Sequence, residues 1–416
     1  MTTHHPIKIS QQTARRYVMG RQGLWPGRRW QGKTGVEQAV RSCEAMQLDP
    51  LNVIARSHDI TLHSRVVDYQ PEYLNELMYG ERRFFDYGGA LFFYPMEELP
   101  YWHFHMKYYK THGRWAAFAQ NNPALMDEVR AVIRERGPVG NRDFTGPSTV
   151  KGNYRGRKES ALALYALWIT GEVMVHHRER FERVYDFREN VAPEEYRYEA
   201  PLEEAERYFA GKTLRFLGLV RERSFANNVG DYLMRKFDKA ASQAWLDRLV
   251  EQGEAIPVQV EGWKEIHYAP GEDLARVDLL ESGGVPDDWK PIVSTEEEVS
   301  FLAPLEIVSA RGRAKKLFAF EYIWEVYKPL ELRRWGYYTI PILYGDQLVG
   351  RLDPRLDRAS KTLRVMGFWL ESDAPKNDPA FADALARGLE RFARFAGAEQ
   401  IDAEVLPENL RAAIKF

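Results

Sequence analysis

One supersecondary pattern occurs twice in this chain of 416 residues, and it restricts the fold more than any other feature. In the first copy an apolar helix carrying Ala161, Leu164, Tyr165 and Trp168 ends at Gly171-Glu172. It runs into Val173-Met174-Val175, turns through a charged segment and returns from Phe181 to Phe187. In the second copy a helix with Trp245, Leu249 and Val250 ends at Gly253-Glu254, continues from Ala255 to Val260, turns at Glu261-Gly262 and returns through Trp263 to Tyr268. A helix that passes through Gly-Glu into a two-stranded ribbon is how a winged helix-turn-helix ends, so two copies suggest tandem modules. Unrelated α+β packing produces the same order, because helix-then-hairpin is a common arrangement.

The remaining periodicity extends this picture. Ser10 is placed to cap a helix with Ala14, Tyr17 and Val18 on one face, and Thr34 with Glu37 forms a capping box for a helix carrying Val36, Val40 and Cys43 inward. A third helix begins near Ala124, carries Leu125, Val129, Val132 and Ile133 on one stripe, and is stopped by Gly137-Pro138. The stretch 265–300 holds ten acidic residues against two basic ones and is punctuated by Gly271, Gly283, Gly284, Pro286 and Pro291, which reads as a linker. Beyond it, Ile340–Tyr344, a Gly345-Asp346 turn and Leu348–Arg351 read as a hairpin, and Arg364–Leu370 as a further strand. Phe381, Leu385, Leu389 and Phe392 mark a final amphipathic helix.

Composition narrows the classes. A single Cys43 excludes an internal disulfide and four-cysteine metal sites, so a reducing cytoplasm is the expected setting. The start MTTHHPIKIS lacks the apolar core of a signal peptide, and no window holds the eighteen or so apolar residues of a membrane span. Net charge is −2, which does not suggest a globally basic nucleic-acid binder, yet residues 1–50 carry eight Lys/Arg against three acids.

The densest site-like segment is Gln47-Leu48-Asp49-Pro50-Leu51-Asn52-Val53-Ile54-Ala55-Arg56-Ser57-His58. Proline pushes the preceding residue out of the helical region, so Asp49 is expected to be extended, with Gln47 and Asp49 pointing one way and Leu48 into the core. An amide and a carboxylate side by side are able to position and polarise one water. A bare Gln-x-Asp is equally an ordinary cap or turn, because Asp before Pro is frequent in turns.

The segment QLDPLNVIARSHDITLHSRV resembles the signature of the winged-helix DNA glycosylases of the AlkZ/YcaQ-like family, in its Gln-Φ-Asp form, which marks the YcaQ-like branch. KESALALYALWITGEVMVHHRERFERVYDF resembles the family's second winged helix, and EVYKPLELRRWGYYTIPILYGDQLVGRLDPRLDR its C-terminal domain. One departure is plain: many relatives carry Trp-x-His-Glu-Ala before a proline where this chain has Asp86–Pro95, so the His-Glu pair is absent. With the resemblance, the expected fold class is α+β. Three tandem winged-helix modules are expected at 1–135 (carrying Gln47 and Asp49), 136–195 and 196–270. An acidic linker at 271–300 and a C-terminal α+β domain with antiparallel strands at 301–416 would follow.

The chemistry implied by the resemblance is hydrolysis of the N-glycosidic bond of purines alkylated at N7 or N3 in double-stranded DNA, with bulky adducts and interstrand crosslinks among the expected substrates. An alkylated base is cationic and leaves without acid assistance, while the sugar becomes oxocarbenium-like. A carboxylate beside it stabilises that charge and accepts a proton from the attacking water. Asp49 is the candidate for both tasks and Gln47 for holding the water. No lysine stands in a context that suggests a Schiff-base lyase and no ligand cluster suggests a metal. The expectation is a monofunctional glycosylase with no cofactor, no membrane and no obligate protein partner. Arg56 and Arg65 are expected phosphate contacts, as are Lys151, Arg155, Arg157 and Lys158 ahead of the recognition-like helix and Arg178 in the wing. Simple solvated charge or structural ion pairing is the alternative for each. Two other readings of the whole chain stand beside the enzyme: a winged-helix transcriptional regulator without catalysis, and a lesion-binding protein without turnover. His103, His105 and His112 fit a packed aromatic helix better than a metal site, and Leu91–Tyr94 a buried strand better than a base-stacking platform.

Overall fold

A computed structural model describes residues 5–145, 150–151, 156–310 and 312–416. The chain is a mixed α+β protein in which every expected helix-then-hairpin passage forms. In the first, the helix Glu159–Ile169 leads through Gly171, in the left-handed region at φ 75°, into Val173–Glu179 paired antiparallel with Glu182–Phe187. In the second, Lys239–Glu251 leads through Gly253 (φ 72°) into Ala255–Val260 and His267–Pro270. Both glycines close the preceding helix in a conformation that costs other residues more.

The N-terminal helix Gln11–Arg21 is capped by Ser10, whose hydroxyl accepts from the Thr13 amide. The next helix spans Gly32–Ser42 and has no side-chain cap; Thr34 lies inside it rather than at its start. Its apolar face, Val36, Val40 and Cys43, is buried as the pattern requires. The helix Pro123–Arg136 ends at Gly137 with φ 79°.

At the C-terminus a five-stranded sheet runs in the order Ser300–Phe301, Ile340–Tyr344, Gln347–Asp357, Thr362–Leu370, Gln400–Asp402. The helix Pro379–Phe395 covers it with fully buried Phe381, Leu385, Leu389 and Phe392. Burial of each such side chain contributes about 1.5–3 kcal/mol, which makes this face the main support of that unit.

The acidic stretch is not a linker. Leu274–Glu281 is a helix packed on Gln11–Arg21, and Val293–Ser294 pairs with Gly27–Arg28. Val277, Leu280 and Trp289 are buried, and Asp273, fully buried, accepts from Tyr17 Oη (2.7 Å) and Arg276 (2.7 Å) and pairs with Arg21. Glu272 and Asp273 pair with Arg21 of the N-terminal helix and Glu298 with Arg28, so part of this run of like charge is neutralised by cations from the start of the chain.

The expected boundaries are crossed in a second way. Ile7–Ile9 pairs in parallel with Val258–Val260, which draws the N-terminus into the sheet of the second helix–hairpin unit. Among the described residues no helix is long and apolar enough to cross a membrane.

Candidate active site

The chain leaves the helix Gly32–Ser42 through Glu44, held at φ 61°. Three contacts hold this bend. Lys212, completely buried on the helix Leu202–Leu217, donates to the Glu44 carbonyl (2.5 Å) and to Glu98 (2.6 Å), and Arg215 pairs with the Glu44 carboxylate at 2.5 Å. Burial pushes the Glu98 carboxyl up to about 7 against the opposing pull of Lys212. The strand Met46–Gln47 follows, in register with Phe93 and Phe92. In that hairpin, Phe84–Tyr87 with Phe92–Pro95, Phe93 and Tyr94 are buried as the aromatic run 91–94 suggested, whereas Leu91 and Phe92 are only half-buried.

Gln47 donates from Nε2 to the Ala90 carbonyl at 3.0 Å, and the Leu48 amide donates to the Leu91 carbonyl at 2.6 Å. At the turn Gly88–Leu91 it is bare backbone that meets the glutamine. Gln47 walls a cavity of about 630 Å³ where three parts of the molecule meet: Tyr87, Tyr94 and His105 from the first unit, Asp231 from the helix Glu222–Leu233, Tyr322 and Trp324 from the C-terminal region. Asp49 is not on that wall. It is 6% exposed, accepts the Leu51 amide on Oδ1 at 3.0 Å across Pro50, and its own amide donates to His58 Nδ1 at 3.4 Å. Leu48 points into the core as expected.

Two features set the electrostatics at Asp49. Its Oδ2 is buried with no hydrogen-bond partner, and burial raises its pKa above the usual range, only partly opposed by the Leu51 amide. Nearby, the Tyr338 hydroxyl is likewise buried and unpartnered, and its pKa is raised by burial and by the Asp49 charge. Trp324, edge-on to Tyr338 at 6.3 Å, adds a buried Nε1 without a partner. An acceptor and two donors are therefore left uncommitted on three neighbouring residues, and buried polar groups are rarely left so without cause. His58 is neutral, with burial bringing its pKa down to about 4. Among the described residues no three His, Cys, Asp or Glu side chains converge to hold a metal ion.

The cationic residues divide sharply. Arg65 is 0% exposed, and its donors are taken by Gln22 O (2.6 Å), Thr61 O (2.9 Å), Ser64 Oγ (3.0 Å) and Glu306 (2.8 Å). The expected phosphate contact is corrected: this guanidinium ties three segments together and has no exposed edge. Arg178 is corrected in the same way. It donates to Asp86 from Nε (2.8 Å) and Nη2 (2.5 Å) and to the Phe181 carbonyl (2.8 Å), and only 8% of its side chain is exposed. Phe181, at the hairpin tip with φ 72°, lies under both Arg178 (4.6 Å) and Arg56 (4.7 Å), with His58 stacked on it. Arg56 stays half-buried there. Lys158, also half-buried, donates to the Phe144 carbonyl at 2.7 Å. Lys151 and Arg157 belong to a short antiparallel pair of which only the backbone is described, and Arg155 lies outside the described residues.

Sequence reasoning singled out Gln47 and Asp49 but not Tyr338, Trp324 or Asp231, each of which arrives from more than 180 positions away.

Comparisons with known proteins bear on the family and the fold. A family model described as "DNA glycosylase AlkZ-like" matches residues 40–395. Among solved structures, the Streptomyces sahachiroi DNA glycosylase AlkZ superposes with a TM-score of 0.61 at 14% identity, covering 96% of this chain and 100% of that one, a likeness of fold.

Proposed function

Because the chain belongs to the AlkZ-like DNA glycosylase family, we propose that this DNA glycosylase hydrolyses the N-glycosidic bond of N7- and N3-alkylated purines in duplex DNA, with Asp49 facing the sugar and Gln47 holding the water. In the same reading the two helix–hairpin units and the first unit are tandem winged helices. The observation that carries the assignment is the uncommitted buried oxygen of Asp49. A carboxylate whose second oxygen has no partner is preorganised for a positive charge that exists only during reaction, and it costs nothing to reorient when the oxocarbenium ion forms. Gln47 spends its amide N–H on Ala90, which leaves its carbonyl oxygen to accept from a water.

The substrate class follows from leaving-group chemistry. No acid is needed where the base is already cationic, and a cavity of 630 Å³ is in the size range that takes ligands well beyond a purine. This supports activity on bulky N7 adducts and on crosslinked bases, and none on uracil, a neutral and poor leaving group. Incubation with DNA carrying one N7-alkylguanine, followed by alkali to cleave the abasic site, tests the assignment. Intact strands after excess enzyme refute it and leave a DNA-binding role without turnover.

The raised pKa of Asp49 gives a pH prediction. The carboxylate must be ionised to act, so single-turnover rates, corrected for spontaneous depurination, should rise with pH through an acid limb above the ordinary Asp value of about 3.9 and then level off. A rate unchanged down to pH ~4 would place the ionisation of Asp49 outside the chemical step.

For the DNA path we assign Lys151, Arg155 and Arg157, with Arg56 and Lys158 as the partly exposed cations on described structure. Replacing Lys151, Arg155 and Arg157 together by Gln should lower the slope of log K against log salt by about 2–3 units, since each phosphate contact contributes about 0.9. A slope unchanged in a folded triple variant would locate the path elsewhere.

A further inference from the structure

Five of the thirteen large apolar side chains exposed among the described residues fall between 323 and 337: Ile323, Tyr327, Leu330, Leu332 and Tyr337. Three of them are almost fully in water, Tyr327 at 85%, Leu330 at 76% and Leu332 at 64%. Such clustering on a surface marks a contact site more often than chance exposure.

The loop that presents them is firmly built. The buried Glu325 carboxylate closes its neck, Oε2 accepting from the amides of Arg334 (2.9 Å) and Trp335 (2.8 Å) and Oε1 from Lys328 Nζ (2.9 Å). Across the tip, Leu332 N donates to Pro329 O (3.0 Å) and Arg333 Nε to Lys328 O (2.9 Å). This frame holds three apolar side chains outward. Lys328, Arg333 and Arg334 flank them, Lys328 paired with Glu325 and Arg334 with exposed Glu321 (3.0 Å), and Glu331 is the one acid between Val326 and Arg334.

The neck borders the candidate site. Tyr322 and Trp324 wall the cavity with Gln47, Tyr327 packs edge-on to Trp324 at 5.6 Å, and Trp324 leads through Tyr338 to Asp49. A cationic rim with an apolar tip, joined by aromatic rings to a site for damaged nucleotides, has the chemistry of a device that enters stacked bases. We propose that the 326–334 tip is a wedge that enters duplex DNA beside the damaged nucleotide, Tyr327, Leu330 and Leu332 replacing lost base stacking while the cations meet the flanking phosphates. The inference rests on the reading that Asp49 acts on DNA. Apolar side chains inserted at a base step unstack it for a few kcal/mol and kink the duplex, a cost offset by the contacts that the bend creates.

The test uses full-length protein and a duplex with 2-aminopurine beside a tetrahydrofuran abasic analogue. Wild-type protein should raise 2-aminopurine emission, and the variant Tyr327→Ser/Leu330→Ser/Leu332→Ser should not, although it melts at the wild-type temperature. Release of N7-methylguanine from duplex should fall about tenfold or more in the variant, and much less where the lesion sits in an unpaired bubble whose stacking is already lost. Restoring apolar bulk in a Tyr327→Leu single variant should preserve both readouts, whereas Tyr327→Ser alone should weaken both. Emission and release equal to wild type in the triple variant overturn the wedge and assign the patch to a protein partner. Wild-type protein that raises emission but releases no base refutes the excision reading and leaves the wedge standing. No emission change with wild-type protein overturns the wedge, whatever the release.

Discussion

Asp49→Asn should excise alkylpurine in single turnover about 10² to 10³ times more slowly than wild type, the usual range for removing one preorganised electrostatic contact to a charge that develops in the transition state. Asparagine keeps the shape and the Oδ1 acceptor for the Leu51 amide, so the loop across Pro50 should persist. Binding to lesion DNA should change little, because the charge it loses is matched to the sugar cation and not to the ground state. Gln47→Ala should be milder, since the cation remains stabilised when the water is held less well.

Stability supplies the control. Burial raises the Asp49 pKa in the folded protein, so ionised Asp49 disfavours folding wherever pH exceeds that raised value. Asp49→Asn removes the charge and should therefore unfold at the same or a higher temperature at pH 7–8, with the difference shrinking as pH falls through the folded pKa and the wild-type carboxyl takes up its proton. A turn-forming Asp predicts the reverse, a loss of stability with chemistry intact. A folded Asp49→Asn protein that excises at the wild-type rate ends the assignment.

The second large effect is on folding. Arg65→Ala should cost about 3–5 kcal/mol, the range for breaking a fully buried ion pair by removing one partner. It would leave the buried Glu306 carboxylate, on the cavity wall, without its cation and would take one donor from each of three further acceptors. Removing both charges, in Arg65→Met/Glu306→Leu, should recover most of the loss, because the desolvation cost of the pair goes with it. Denaturant midpoints for the two variants decide the matter. A loss under about 1 kcal/mol in Arg65→Ala together with a lowered salt slope for DNA would restore the phosphate contact expected from sequence.

What the sequence determined by itself is what short-range physics controls. Glycine at the end of each helix and apolar residues at fixed spacing made Glu159–Ile169, Lys239–Glu251 and their hairpins legible, because capping and amphipathic burial depend on neighbours a few positions away. Proline after Asp49 and the surrounding motif singled out Gln47 and Asp49 for the same reason. Charge is the least legible feature. In sequence the ten acids of 265–300 read as a linker and Arg65 and Arg178 as phosphate contacts, since a sequence shows the sign of a group but not the partner that neutralises it. Asp273 meets Tyr17 and Arg21, Arg65 meets Glu306, and Arg178 meets Asp86 only when segments 92 to 256 positions apart come together. The same holds for the site: Asp49 carries its reach in its own tripeptide, whereas the burial that frees its Oδ2 and the Tyr338 and Trp324 rings beside it are supplied by the C-terminal region. Desolvation, which sets both the pKa of that carboxylate and its worth to a passing cation, is a property of the assembled interior and exists only in the tertiary structure.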